Sequence, residues 1–139
     1  MKKTDDLLNI INKSKSLDEF LAQHKGEFIK INISEYLNAL IEKKGLSKSE
    51  IISASFMDRV YAYQIFNGTR TPSRDKLIQL SFGMGLDFEE TQKLLKYSKN
   101  APLYIHNRRD SIIIYAINKE ITLIDLNILL DEKGEKIIE

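Results

Sequence analysis

The chain has 139 residues, of which 42% are apolar, enough to build one domain-sized core. Twenty-one Lys and Arg residues against twenty Asp and Glu give a net charge of +1, so no overall field draws the whole chain to nucleic acid or membrane, and any such attraction must be local. The absence of cysteine excludes disulfide frameworks, thiolate nucleophiles and Cys-based zinc sites, and a cytoplasmic address is expected.

The first residues open with Lys2 and Lys3 but meet Asp5 and Asp6 before any long apolar run, which argues against a signal peptide. The longest apolar run, Ile112–Ile117, is far too short to span a bilayer, so no membrane partner is expected. A first helix is predicted over 5–12. A second starts at Ser16, which precedes Leu17, Phe20 and Leu21 and has Glu19 three residues on, the pattern of a capping box. The series Ile33, Leu37, Leu40, Ile41 predicts the next helix, started by Ser34 and closed by Lys43, Lys44 and Gly45. Ser47 with Glu50 reads as a further capping box leading Ile51 and Ile52, and another short helix runs from near Asp58 to Gly68.

Beyond Pro72 the chain repeats itself: residues 74–95 lie over 109–130 at an offset of 35, with Arg74-Asp75 on Arg109-Asp110, Ile78 on Ile113, and Leu94-Leu95 on Leu129-Leu130. Capping signals coincide as well, Asp87 with Glu90 falling on Thr122 with Asp125. Each copy therefore reads as a helical hairpin. The β-branched run Ile112–Ile114 would suit a strand by propensity, but the repeat register assigns it to a helix with more than one buried face, in the core or against a second subunit. A loose tail is expected from Lys133. The fold class is all-α, divided as an N-terminal helical segment (1–30), a central domain (31–100) and a C-terminal helical hairpin (101–139).

Between Ser34 and Gly68, three short helices with a four-residue connection, Ser55–Asp58, have the proportions of a helix-turn-helix. Ala62, Ile65 and Phe66 can face inward, which leaves Arg59, Val60, Tyr63 and Asn67 outward and Tyr61 beside the leading turn. Residues 43–76 carry seven basic residues against three acidic ones, whereas 1–29 balance at five each and 101–139 have five against seven. The positive excess sits where the motif is, the footprint of a small DNA reader.

From Leu46 to about Leu86, the run Ile65-Phe66-Asn67-Gly68, the loop Thr69-Arg70-Thr71-Pro72-Ser73 and the apolar helix ending at Gly85 resemble the λ-repressor-type (XRE family) helix-turn-helix domain. That resemblance implies a five-helix bundle over 34 to about 98, about half the chain, and double-stranded DNA as partner. It places Lys48 at the head of the second helix, where the family has a phosphate- and base-contacting glutamine. It also sets Arg59 and Val60 on the leading recognition positions, with Tyr63 on the same outer face. Arginine at 59 suits guanine O6 and N7, while Asn67, Thr69 and Arg70 fall where the family holds the backbone or groove. Two departures stand out: Ile52 replaces a small residue and Phe56 replaces the turn glycine, which implies a widened or tilted helix pair. Tyr61 reads as a half-buried core-edge residue, and the Arg74-Asp75 and Arg109-Asp110 pairs as structural.

No enzyme is expected: His24 and His106 lie in separate segments, without a phosphate-binding glycine loop or metal-ligand spacing, so neither cofactor nor metal is implied. The resulting expectation is a small bacterial transcriptional regulator that binds DNA as a homodimer through the hairpin carrying Ile112–Ile117. The alternative is a protein-interaction module, an antitoxin or adaptor, on the same fold.

Overall fold

Seven helices, and no strand among the described residues, follow one another in the computed structural model, which describes residues 32–139 and, before them, Leu17 alone. The helices expected over 5–12 and from Ser16 lie outside the described residues. Residues 32–139 fall in one compact unit.

The first helix, α1 (Ile33–Lys44), has its cap two residues earlier than Ser34 predicts. Asn32 is the cap, its Oδ1 accepting from the Ser34 backbone N–H at 2.9 Å and the Ser34 hydroxyl at 2.8 Å. Asparagine caps as well as serine does, and here the serine serves the asparagine. Gly45 closes α1 in the left-handed region at φ +63 behind Lys43 and Lys44. Helix α2 (Lys48–Ser55) is capped by Ser47, whose hydroxyl accepts from the Glu50 N–H at a long 3.4 Å without a reciprocal bond from the Glu50 side chain. The box read from the sequence is thus half formed. Helix α3 (Arg59–Phe66) has Asp58 as its cap, accepting from the Tyr61 N–H at 3.0 Å.

Helices α4 (Arg74–Met84) and α5 (Phe88–Tyr97) make one hairpin, α6 (Arg108–Asn118) and α7 (Leu123–Glu132) the other. The α5 cap is a complete box, with Asp87 and Glu90 each accepting the other's backbone N–H. Leu37, Ile65, Leu77, Ile78, Leu80, Leu94, Leu95, Ile113, Leu126 and Leu130 are all essentially solvent-free and form one core through both hairpins. Ile113, Ile114, Ala116 and Ile117 are buried within this unit, so the run that suggested a subunit interface is mostly covered by the chain's own helices.

The repeat is more extensive than residues 74–95 and 109–130. Left-handed residues recur at the same offset, Gly85 with Glu120 and Lys99 with Gly134. Gln92 brackets Leu103, accepting its N–H at 2.7 Å and donating to its carbonyl at 2.9 Å; Asn127 does the same to Ile138 at 2.7 and 2.9 Å. Ile138 is consequently buried, and the segment after Lys133 is a bound extension where a loose tail was expected. Between the copies the side chains are exchanged reciprocally. Arg74 makes a forked pair with Asp110 (3.1 and 2.8 Å), and Arg109 with Asp75 (3.1 and 2.9 Å). Each arginine also donates to the carbonyls of the extension, Arg74 to Ala101 and Pro102, Arg109 to Lys136 and Ile137.

Candidate nucleic-acid interface

Helix α3 is short, and its orientation is fixed from both ends. At its C-terminal end Asn38 of α1 donates Nδ2 to the Phe66 carbonyl at 2.8 Å, while Gly68 turns away at φ +83 with the Ser34 side chain 3.1 Å from where a Cβ would stand. At its N-terminal end the connection from α2 passes through Phe56, Met57 and the cap Asp58. Met57 is buried and Phe56 is not: its backbone takes the left-handed φ of +53, and its ring is 62% exposed. The phenylalanine adopts the turn conformation that glycine reaches without strain, and it does so without placing its ring between the helices. Ile52 is buried in the core and Ala62 is fully covered. A bulky wedge between the two helices, as these residues suggested, is therefore absent at Phe56.

The close helix approach lies elsewhere, between α2 and α4. A Cβ on Gly83 would stand 2.7 Å from the Ser55 Cβ and 2.8 Å from the Ile51 carbonyl oxygen. Ser55 Oγ donates to that same carbonyl at 2.7 Å, and buried Gln79 donates to the Ser55 carbonyl at 2.6 Å, satisfying the end of α2. This joint fixes α2 on α4.

Of the residues singled out from sequence, Lys48, Tyr63 and Arg59 form one continuous strip. The Lys48 ammonium sits 5.6 Å from the centre of the Phe66 ring, Phe66 meets Tyr63 edge-on at 6.1 Å, and the Arg59 guanidinium stands 5.4 Å from the Tyr63 ring. Val60 projects beside them, 66% exposed. Asn67, Thr69 and Arg70 form a second group that shapes the following loop. Exposed Asn67 accepts through Oδ1 from the Thr69 N–H (3.1 Å) and hydroxyl (2.7 Å), and Arg70 Nε donates to Gln64 Oε1 at 2.8 Å.

Three contributors escape a reading of the sequence alone. Phe66 is buried yet supports Lys48; Gln64 holds Arg70; and Lys76, in the first turn of α4, joins Arg70 over Tyr61, at 5.7 and 4.9 Å from the ring centre. Half-buried Tyr61 is thus a platform for two cations. Only the basic run through residues 43–76 hinted at Lys76.

The charge pattern divides the molecule. Of five arginines, Arg74, Arg108 and Arg109 hold carboxylates in the hairpins, whereas Arg59 and Arg70 have no carboxylate partner among the described residues. Lys48 and Lys76 are likewise without one. Cations resting on aromatic faces keep their hydrogen-bonding edges available to an anion. Among the described residues no group of three His, Asp or Glu side chains is arranged to hold a metal ion, and no helix is long and apolar enough to cross a membrane. Comparison with known proteins finds no matching family model, no significantly similar curated protein and no significantly similar solved structure.

Proposed function

We propose that residues 33–97 are a helix-turn-helix domain of the λ-repressor type and that the chain binds double-stranded DNA sequence-specifically, as a small transcriptional regulator. The observation that carries this reading is the unpaired cationic strip along α3: Arg59 and Arg70 are the two arginines with no carboxylate partner among the described residues, and both border the helix whose first turn exposes Arg59 and Val60. In this reading Arg59 pairs with the O6 and N7 of a guanine, Val60 meets a thymine methyl, and Tyr63 lines the groove. Lys48, the Asn67 amide, Thr69 and Arg70 hold phosphates and set register.

One such helix reads only a few base pairs, so a homodimer on half-sites one helical turn apart, about 34 Å, supplies the specificity. Because Ile113, Ile114, Ala116 and Ile117 are covered within the chain, the dimer contact falls to the outer face of the second hairpin, where Ile112, exposed Tyr115 and Leu129 form an apolar hollow of about 330 Å³. Titrating a labelled mixed-sequence duplex at several salt concentrations tests the electrostatic part. Affinity is expected to fall with salt at about 0.9 logarithmic units per phosphate contacted, and Lys48→Ala to lower that slope by about one contact. Binding that ignores salt, or no binding to any duplex, would contradict it. A reading as a protein-interaction module is favoured by a different surface, the groove beside α7.

A further inference from the structure

The duplicated hairpin supplies its own comparison for the outer face of α7. At the 35-residue offset, Ile124, Ile128 and Asp131 stand where α5 has Glu89, Lys93 and Lys96. On α5 that face is built for water: Glu89 and Lys93 form an ion pair one turn apart at 3.6 Å, and Lys96 occupies the last turn, where a cation complements the helix dipole. On α7 the same places hold two isoleucines, 52% and 50% exposed, and a carboxylate at the negative end of the dipole. Glu132 adds a second acid there, and no basic residue occupies that last turn. Both departures are unfavourable for a face left in water, and the first hairpin demonstrates that this fold does not require them.

The two isoleucines line a groove of about 650 Å³ together with the exposed Phe56 and with Ile137. Asp131, Glu132 and Glu139 rim it, and none of these carboxylates is paired with a cation among the described residues. The acidic rim repels nucleic acid, and a two-fold contact with a second copy would set like charge against like. We propose that this groove docks an amphipathic helix of a partner protein, apolar on the presented face and lysine- or arginine-bearing along its edges. Phe56 lies two residues before Asp58, the cap of α3, so the docked helix borders the turn that positions Arg59. The docking itself does not depend on DNA binding.

The test uses the full chain and two labelled synthetic helical peptides with leucines four residues apart, one flanked by lysines and the other by glutamates, read by fluorescence anisotropy. The lysine peptide is expected to bind at least about tenfold more tightly than the glutamate peptide. The double variant I124E/I128K, which installs the residues of α5, should melt like the parent and bind the lysine peptide about tenfold more weakly. D131K should narrow the preference between the peptides. Equal binding of both peptides, binding of neither, or undiminished binding by I124E/I128K would overturn the proposal. So would a molecular mass that falls on the I124E/I128K substitution, which would assign the face to a second copy.

Discussion

Phe56 holds a left-handed backbone that costs a residue bearing a Cβ about 1–2 kcal/mol, and with its ring largely in water it recovers little of that by packing. Phe56→Gly is therefore expected to stabilise the chain by about 1 kcal/mol in denaturant unfolding, while leaving duplex affinity unchanged. A loss of stability would show that the ring packs where the structure leaves it exposed. The position was legible from sequence as a turn that glycine would favour, but the direction of the ring was not, because nothing local decides which side of a left-handed residue faces solvent. Tyr36 is a residue no sequence pattern singled out. It packs edge-on against Tyr97 at 5.0 Å, and burial first, then Tyr97 and the carboxylates Glu90, Asp87 and Glu89, push its hydroxyl from 10.0 up to about 12. A raised phenol pKa means that the folded state favours the neutral form. The associated stability is complete below pH 10 and is lost as pH rises toward 12. Unfolding free energy measured across that range should decline, and Tyr36→Phe should flatten the decline; an unchanged profile would contradict the assignment.

At the level of elements, helix boundaries were readable because caps and left-handed terminators are written locally: Asp58, Asp87, Thr122 and Gly45 all act where their residue types suggested. What stayed hidden was which helices touch. Gly83 reads as a weak point in a helix, yet it is where α4 admits α2, and an added methyl would meet the backbone of Ile51 at 2.8 Å. Gly83→Ala, ordinarily favourable in a helix, is expected to cost roughly 1–3 kcal/mol through overpacking, measured by thermal or urea unfolding. A neutral or stabilising result would mean that the two helices pack less closely than described. The exchanged arginine pairs give a graded prediction. Arg74→Ala leaves Asp110, whose side chain is 8% exposed, with only the Tyr104 backbone N–H as a donor. Arg109→Ala strands Asp75, which at 22% exposure is better hydrated. The first should cost roughly 3 kcal/mol and the second about half as much; equal losses would indicate that burial of the carboxylate does not set the difference.

For the whole molecule, the sequence repeat carried more of the architecture than its few identities suggested, since the offset that aligns Arg74-Asp75 with Arg109-Asp110 also aligns the extensions ending at Leu103 and Ile138. That extension was missed because residues 101–103 and 136–138 share no identity; what they share is a backbone clamped by Gln92 or Asn127, and backbone hydrogen bonds leave no sequence signature. The candidate interface was legible in its cations and opaque in its supports. Arg59 and Arg70 could be named from position, and Arg59 meets Tyr63 one helical turn on, but the standing of Arg70 over Tyr61 depends on how the loop after the helix folds back, and the burial of Arg74 and Arg109 in ion pairs depends on contacts between residues distant in the chain. In the proposed function this unpaired strip reads base sequence. Selection from a random duplex pool, with the enriched site retested against Arg59→Ala, examines it most directly. A palindromic consensus is expected and, for Arg59→Ala, a loss of about 1–3 kcal/mol with relaxed preference at one base position per half-site. Enrichment of no sequence, or a consensus that Arg59→Ala reads as well as the parent, would contradict it.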